Sequence, residues 1–325
     1  MKLGRRTILT AASAIGLAGT ARAQAGFPDR PVRLVVPFPP GGPTDLIGRL
    51  LGQRLSAHWG QPVVVENRAG ASGTIGSVAV ARSAPDGYTI IFSNNATHGA
   101  VEQLSPRNTP YRTLTDFTPI ALVGIAPLVM IARASLPAAT AAEFVALAKR
   151  QPGRLTYASA AYGSAPHLAS ELLKLAAGID LVHVPFNGAA PATQALLSDN
   201  VDMYMGGVST VRPLVATGRV RALGAVHGQR LGNWPDLPTL AEQGIRGVEY
   251  DSWYGLLGPA GMAPGLVAQI NAAVRRALDG DEVRQLLEGY GLERQTGEAS
   301  TLTEVIRVEM SRTAEVIRAA NITVQ

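Results

Sequence analysis

Val32-Arg33-Leu34-Val35-Val36-Pro37-Phe38-Pro39-Pro40-Gly41-Gly42-Pro43-Thr44-Asp45 is the stretch from which the fold is read. A short run rich in β-branched residues, Val32 to Val36, stops at prolines and paired glycines. Leu46, Ile47, Leu50, Leu51 and Leu55 then recur at the spacing of one helix face. The stretch therefore reads strand, tight loop, helix start. Such a loop directs unpaired backbone N–H groups, at the positive end of a helix dipole, beyond the strand, where an anion can accept from them. One loop of this kind is also an ordinary strand-to-helix turn, so the reading depends on how many others face the same way.

Working outward, Pro62 to Glu66 is a second strand running into Asn67-Arg68-Ala69-Gly70-Ala71-Ser72-Gly73, and Tyr88 to Phe92 a third running into Ser93-Asn94-Asn95-Ala96-Thr97-His98-Gly99. The apolar segment Thr118 to Ala132 reads as strand. After a helix over Ala141 to Arg150 the pattern restarts. Strands at Leu155–Ala158, Leu181–Val184 and Val201–Met205 each end in a loop of small or polar residues, the first two followed by helices. Three strand–loop–helix units thus occur twice without detectable sequence repetition. Alternating strands and helices imply parallel strands whose loops share one edge. A strand at Val220–Val226, another at Tyr250–Leu257 and a helical tail over Pro264–Leu278, Asp281–Tyr290 and Leu302–Ala320 complete the chain. The tail is expected to cover the first domain. This gives residues 24–122 and 245–325 as domain 1 and residues 123–244 as an inserted domain 2, closing on a small ligand by hinge motion.

The amino end reads as an export leader, residues 1–23. Arg5-Arg6 precede an apolar segment, Ile8 to Gly19, and Ala21-Arg22-Ala23 is a small-x-small cleavage signal. The same residues fit a twin-arginine signal and a general secretory one equally. The full chain carries +5, and the leader holds Lys2, Arg5, Arg6 and Arg22 with no acids, so 5 − 4 leaves +1 beyond it. With no basic run interleaved with aromatics, nucleic acid is not an expected partner. The absence of cysteine excludes disulfides and thiolate chemistry.

Catalytic patterns are missing. There is no Gly-x-Ser-x-Gly elbow, no His-Glu-x-x-His, and none of the three lysines lies in a phosphate loop. The five histidines have no metal-ligand spacing. His98 and His167 read as loop braces or as ligand contacts, Asp45 as a cap that shapes the first loop, and Trp253 and Tyr254 equally as core or hinge packing or as cleft wall. The loops are rich in Gly, Ala, Ser, Asn and Pro, a composition that holds carboxylates through backbone N–H groups, hydroxyls and water.

Several motifs carry a resemblance. Pro37 to Asp45 and Gln61 to Gly73 are joined by Ala84-Pro85-Asp86-Gly87-Tyr88-Thr89, Asp116-Phe117-Thr118-Pro119-Ile120 and Ser164-Ala165-Pro166-His167-Leu168. Val184-Pro185-Phe186-Asn187-Gly188, Pro235-Asp236-Leu237-Pro238-Thr239 and Trp253-Tyr254-Gly255-Leu256 follow in order. Over the whole chain beyond the leader it resembles the periplasmic solute-binding receptors of the tripartite tricarboxylate transporter family, the Bug receptors. The resemblance implies an α/β, two-domain periplasmic-binding-protein fold of type II, the Venus flytrap, with mixed, mostly parallel sheets flanked by helices. It implies a periplasmic receptor, not an enzyme, that captures a small carboxylate and presents it to membrane permease subunits; a sensor for a signalling partner is the alternative. By analogy Phe38, Gly41, Gly42, Ala71, Ser72 and Asn94 are first-domain contacts, and Ser159, Gly163, Ser164, Asn187 and Gly207 second-domain contacts. No catalytic residue, metal or cofactor is implied, and the chain is expected to act as a monomer. One departure is Gly206-Gly207, where members often carry polar pairs such as Asp-Asn, so that wall is less polar here.

Overall fold

The computed structural model describes residues 26–322; the expected leader lies outside them. Strand β1 (Val32–Val36) leads into α1 (Pro43–Trp59), β2 (Val63–Asn67) into α2 (Thr74–Ala81), and β3 (Thr89–Asn94) into the short helices α3 (Val101–Leu104) and α4 (Thr113–Asp116). Proline at the start of α1 costs no hydrogen bond, and Gly60, in left-handed backbone, ends the helix. Strands β4 (Phe117–Ala126) and β5 (Leu128–Arg133) follow with only Pro127 between them. The segment expected as one strand is therefore two, in different sheets, because proline has no N–H to continue a ladder.

The second round comprises α5 (Ala141–Arg150), β6 (Thr156–Ser159), α6 (Ala165–Ala177), β7 (Val182–Pro185), α7 (Ala189–Leu197), β8 (Met203–Gly207), α8 (Val208–Ala216) and β9 (Val220–Ala225). After a long return come β10 (Ser252–Pro259), α9 (Pro264–Ala277), α10 (Asp281–Gly289), β11 (Glu293–Arg294) and α11 (Ala299–Ala319).

The two sheets share one plan. The first runs β2-β1-β3-β10-β4-β11 and the second β7-β6-β8-β5-β9. In each, the three loop-bearing strands are parallel, and a strand from beyond a crossing (β10 or β5) joins antiparallel. Four of the nine pairings are parallel and five antiparallel, so the sheets are mixed in about equal parts. Both faces of each sheet are buried: Leu34 and Val36 pack on one face of the first and Val35 on the other, Met130 and Val129 on opposite faces of the second. The crossings lie side by side, with Val226 N–H donating to Leu128 C=O and Tyr250 N–H to Val226 C=O.

Helices α9 and α10 pack on the first sheet through Ile270, Val274 and Leu287. Helix α11 is not confined to it. Leu302 and Ile306 join the first sheet's core, whereas Val316, with Ile322 just beyond, joins the second's. A helix of 21 residues spans about 31 Å at 1.5 Å per residue, about the diameter of a small domain. Midway along it, buried Glu309 accepts hydrogen bonds from Tyr250 Oη (2.8 Å) and Trp253 Nε1, joining the helix to the return crossing. Trp253 is thus core packing, and Tyr254 stacks on Phe92 in the first core.

Candidate ligand cleft

The loop after β1 is held from behind by Asp45. Its buried carboxylate accepts from Gly41 N (2.9 Å), Arg49 Nε (3.0 Å) and Asn67 Nδ2 (2.8 Å). Asn67 Nδ2 also donates to Phe38 C=O (3.1 Å), tying this loop to the end of β2. Burial alone would raise the Asp45 pKa; the bonds from Arg49, Gly41 and Asn67 outweigh it and hold the carboxyl below its ordinary value. Asp45 therefore shapes the loop, as expected from the sequence, and Gly41's N–H is spent on it. Gly42 caps α1 with no side-chain hydrogen bond, and Pro43, at the first helical position, has no N–H to offer. Asp45→Asn puts an amide where three donors converge and is expected to cost about 1–3 kcal/mol, read as a shift in the urea midpoint. The carboxylate's contribution is complete above its unfolded pKa of 3.8 and is lost as pH falls through its lower folded value.

The loop after β2 has four successive residues with positive φ: Gly70 (127°), Ala71 (47°), Ser72 (53°) and Gly73 (88°). Ala71 and Ser72 there each cost on the order of 1–3 kcal/mol, so the surrounding fold enforces the loop. Thr97 Oγ1 donates to Ser72 C=O (3.3 Å), and a Cβ on Gly73 would lie 2.6 Å from the same hydroxyl. In the loop after β3, Asn94 Oδ1 accepts from Ala96 N (3.1 Å) and its Nδ2 donates to Thr44 Oγ1 (3.3 Å). His98 is fully buried, pairs with Ser93 Oγ at 2.7 Å and packs edge-on to Phe117. Burial pushes it down to about 3, so it is a neutral brace.

Across the cleft, the loop after β6 is also held from behind. Ser159 is buried, its Oγ bonded to His183 Nε2 (2.7 Å) and the Ala161 carbonyl (3.2 Å). Ser164 Oγ donates to the same carbonyl (2.7 Å), and Gly163 N donates to His167 Nδ1 (3.0 Å). Ser159 and Ser164, expected as contacts, bond through their hydroxyls to His183 of β7 and to the Ala161 carbonyl. His183 packs against both Tyr157 and His167, with ring centroids 4.7 and 4.3 Å away, and Tyr162 stands edge-on to both imidazoles. Burial pushes His167 and His183 down to about 4.

Four loops meet around a cavity of about 130 Å³, lined by Phe38, Ser72, Ala96, Val101, Leu104, Ser105, Ala161 and Tyr162. The halves touch at Gly163 (φ 74°), where a Cβ would stand 2.1 Å from Leu104 Cδ1. Of the expected contacts, Phe38 and Ser72 line the cavity. Asn187, exposed, and Gly207, with open space beside it, lie outside the lining, as do Gly41, Gly42, Ala71 and Asn94. Sequence reasoning missed Val101, Leu104 and Tyr162. A Val-x-x-Leu pair just past the third strand, and a lone large aromatic in a loop of small residues, were the available signals. A larger cavity of about 520 Å³ lies beside the crossings and α11, away from these loops. Among the described residues, no group of His, Asp or Glu could hold a metal ion, and no helix is long and apolar enough to cross a membrane.

Known proteins share this architecture over nearly the whole chain. An R. palustris protein solved with adipate is 34% identical, with a TM-score of 0.83 over 91% of this chain and 99% of its own. MatC from Rhodopseudomonas palustris, solved with bound malate, is 36% identical, with a TM-score of 0.78 over 90% of this chain and 100% of its own. The periplasmic binding protein BugD is 33% identical, with a TM-score of 0.79 over 92% of this chain and 100% of its own. The pattern that defines the tripartite tricarboxylate transporter family receptor matches residues 47–322, from inside α1 to the last described residue. With the paired sheets, the facing loops and that match in place, the chain belongs to the tripartite tricarboxylate transporter family of receptors.

Proposed function

We propose that the chain is a periplasmic receptor that captures one small carboxylate between the loops of its two halves and hands it, unchanged, to permease subunits in the membrane. The observation that carries this reading is the convergence of loops from the ends of parallel strands in both sheets on one cavity with no lysine or arginine in its lining. An anion there is held by loop N–H groups and hydroxyls. Four or five charge-assisted hydrogen bonds at ~1.5–3 kcal/mol each, less association costs, suffice for micromolar affinity. Relatives at 34% and 36% identity solved with adipate and with malate support the ligand class. The two crossings, at Pro127 and between Val226 and Tyr250, serve as the hinge.

A thermal-shift screen of mono-, di- and tricarboxylates tests the reading. A carboxylate at a hundred times its Kd should add ~2.7 kcal/mol of stability. A melting shift with neutral solutes and none with any carboxylate would sink it. Ser72, exposed in the cleft, is the hydroxyl best placed to reach the ligand. Ser72→Ala is expected to weaken binding by ~1–2 kcal/mol in calorimetry with little change in melting.

A further inference from the structure

The lining of the cleft is mostly apolar. Five of its eight residues, Phe38, Ala96, Val101, Leu104 and Ala161, are apolar, and Tyr162 presents a ring. Apart from that phenol, the side-chain polar groups are the hydroxyls of Ser72 and Ser105. The polar side chains behind the second-domain loop are committed elsewhere: Ser159 to His183, Ser164 to the Ala161 carbonyl, and His167 to Gly163 N. A second carboxylate pushed toward Val101 and Leu104 would lose water and meet only the Tyr162 and Ser105 hydroxyls, with no charged donor to replace it. Size adds a second limit. The cavity is about 130 Å³, near the ~150 Å³ of apolar space that takes one benzene ring. Leu104 closes it against Gly163, so a longer chain has no exit on that side.

We propose that the ligand is a monocarboxylate with one compact, uncharged apolar body, a benzoate-like ring or a short branched alkyl group. Its carboxylate sits at the Ser72 hydroxyl and the loop N–H groups beside it, and its body lies among Val101, Leu104 and Tyr162. This rests on the receptor reading and narrows it. Leu104 and Tyr162 then set specificity, accepting apolar surface and rejecting a second carboxylate, which meets no charged donor.

The test is isothermal titration of the purified chain with benzoate, 3-methylbutanoate, malate, adipate and citrate at neutral pH. At least one of the two apolar monocarboxylates should bind about tenfold or more tighter than malate, adipate or citrate. Leu104→Asn should cost that ligand about tenfold and narrow its lead over malate, with circular dichroism unchanged. The wild-type ranking stands as a test even if the variant does not fold. Malate, adipate or citrate binding as tightly as both monocarboxylates would overturn the narrowing and leave the receptor reading intact. Absence of binding by all five, together with a flat carboxylate screen, would overturn both.

Discussion

Moving the protein from about pH 7.5 to about pH 4.5 is expected to lower its unfolding free energy by roughly 3–6 kcal/mol. Three imidazoles are the cause. Burial pushes His98 down to about 3, and His167 and His183 to about 4, the neighbouring His167 adding to the shift of His183. In the unfolded chain each titrates near 6.5, so the unfolded state binds more protons than the fold between about 6.5 and 4. Their contribution is complete above 6.5 and is lost as pH falls through that window. Two groups act in the opposite sense. His227 is raised by its bond to Asp251, and burial raises Glu309 to about 7; both favour the fold on the acid side and lose that contribution as pH rises. Each pH unit of separation between folded and unfolded pKa is worth ~1.4 kcal/mol, so three depressed histidines outweigh two raised groups. Glu309→Gln removes one opposing slope and should steepen the acid loss. Urea denaturation at both pH values checks the expectation; equal or greater stability at the lower pH would contradict it.

Gly163→Val should reduce carboxylate binding about a hundredfold, ~2.7 kcal/mol, while the chain stays folded. Two costs coincide at this position. Its φ of 74° is unfavourable for a β-branched residue, and its Cβ would occupy the space of Leu104 Cδ1, 2.1 Å away. The clash lies between the halves, where Ala100 and Leu104 pack against the second sheet's core, so it opposes their closure. A rescue separates the causes. Gly163→Ala combined with Leu104→Ala relieves the clash and should recover part of what Gly163→Ala alone loses, leaving ~1–2 kcal/mol of backbone strain together with the lost contact of Leu104 with the ligand. Calorimetry on the three variants and the wild type decides; affinity unchanged in Gly163→Val would show that the halves do not meet there.

Much of this architecture was legible from local chemistry. The run Val32–Val36 stopped by Pro37, the repeated strand–loop–helix units and the small-residue loops led to two matching sheets, because turn residues and hydrophobic runs are local signals. Asp45 was legible as a brace because a carboxylate in a first helical turn seeks nearby N–H donors. Other features depend on tertiary position. The periodicity of α11 shows one buried face through Leu302, Ile306, Glu309, Thr313 and Val316, but not that its ends serve different cores. Ser159 and Ser164 have the composition of ligand contacts; only three-dimensional packing turns their hydroxyls onto His183 and the Ala161 carbonyl. Val101 and Leu104 sit on a single helical turn, too short for a periodicity signal, and reach the cleft because the wide turn at Ala96–Ala100 carries them there.

A crystal structure of the protein with its tightest-binding carboxylate tests the central claim most directly. The ligand is expected between Phe38 and Ser72 on one side and Ala161 and Tyr162 on the other, its carboxylate toward the first sheet's loops. A carboxylate bound instead in the larger cavity beside α11, among Trp253, Val305 and Arg312, would contradict it.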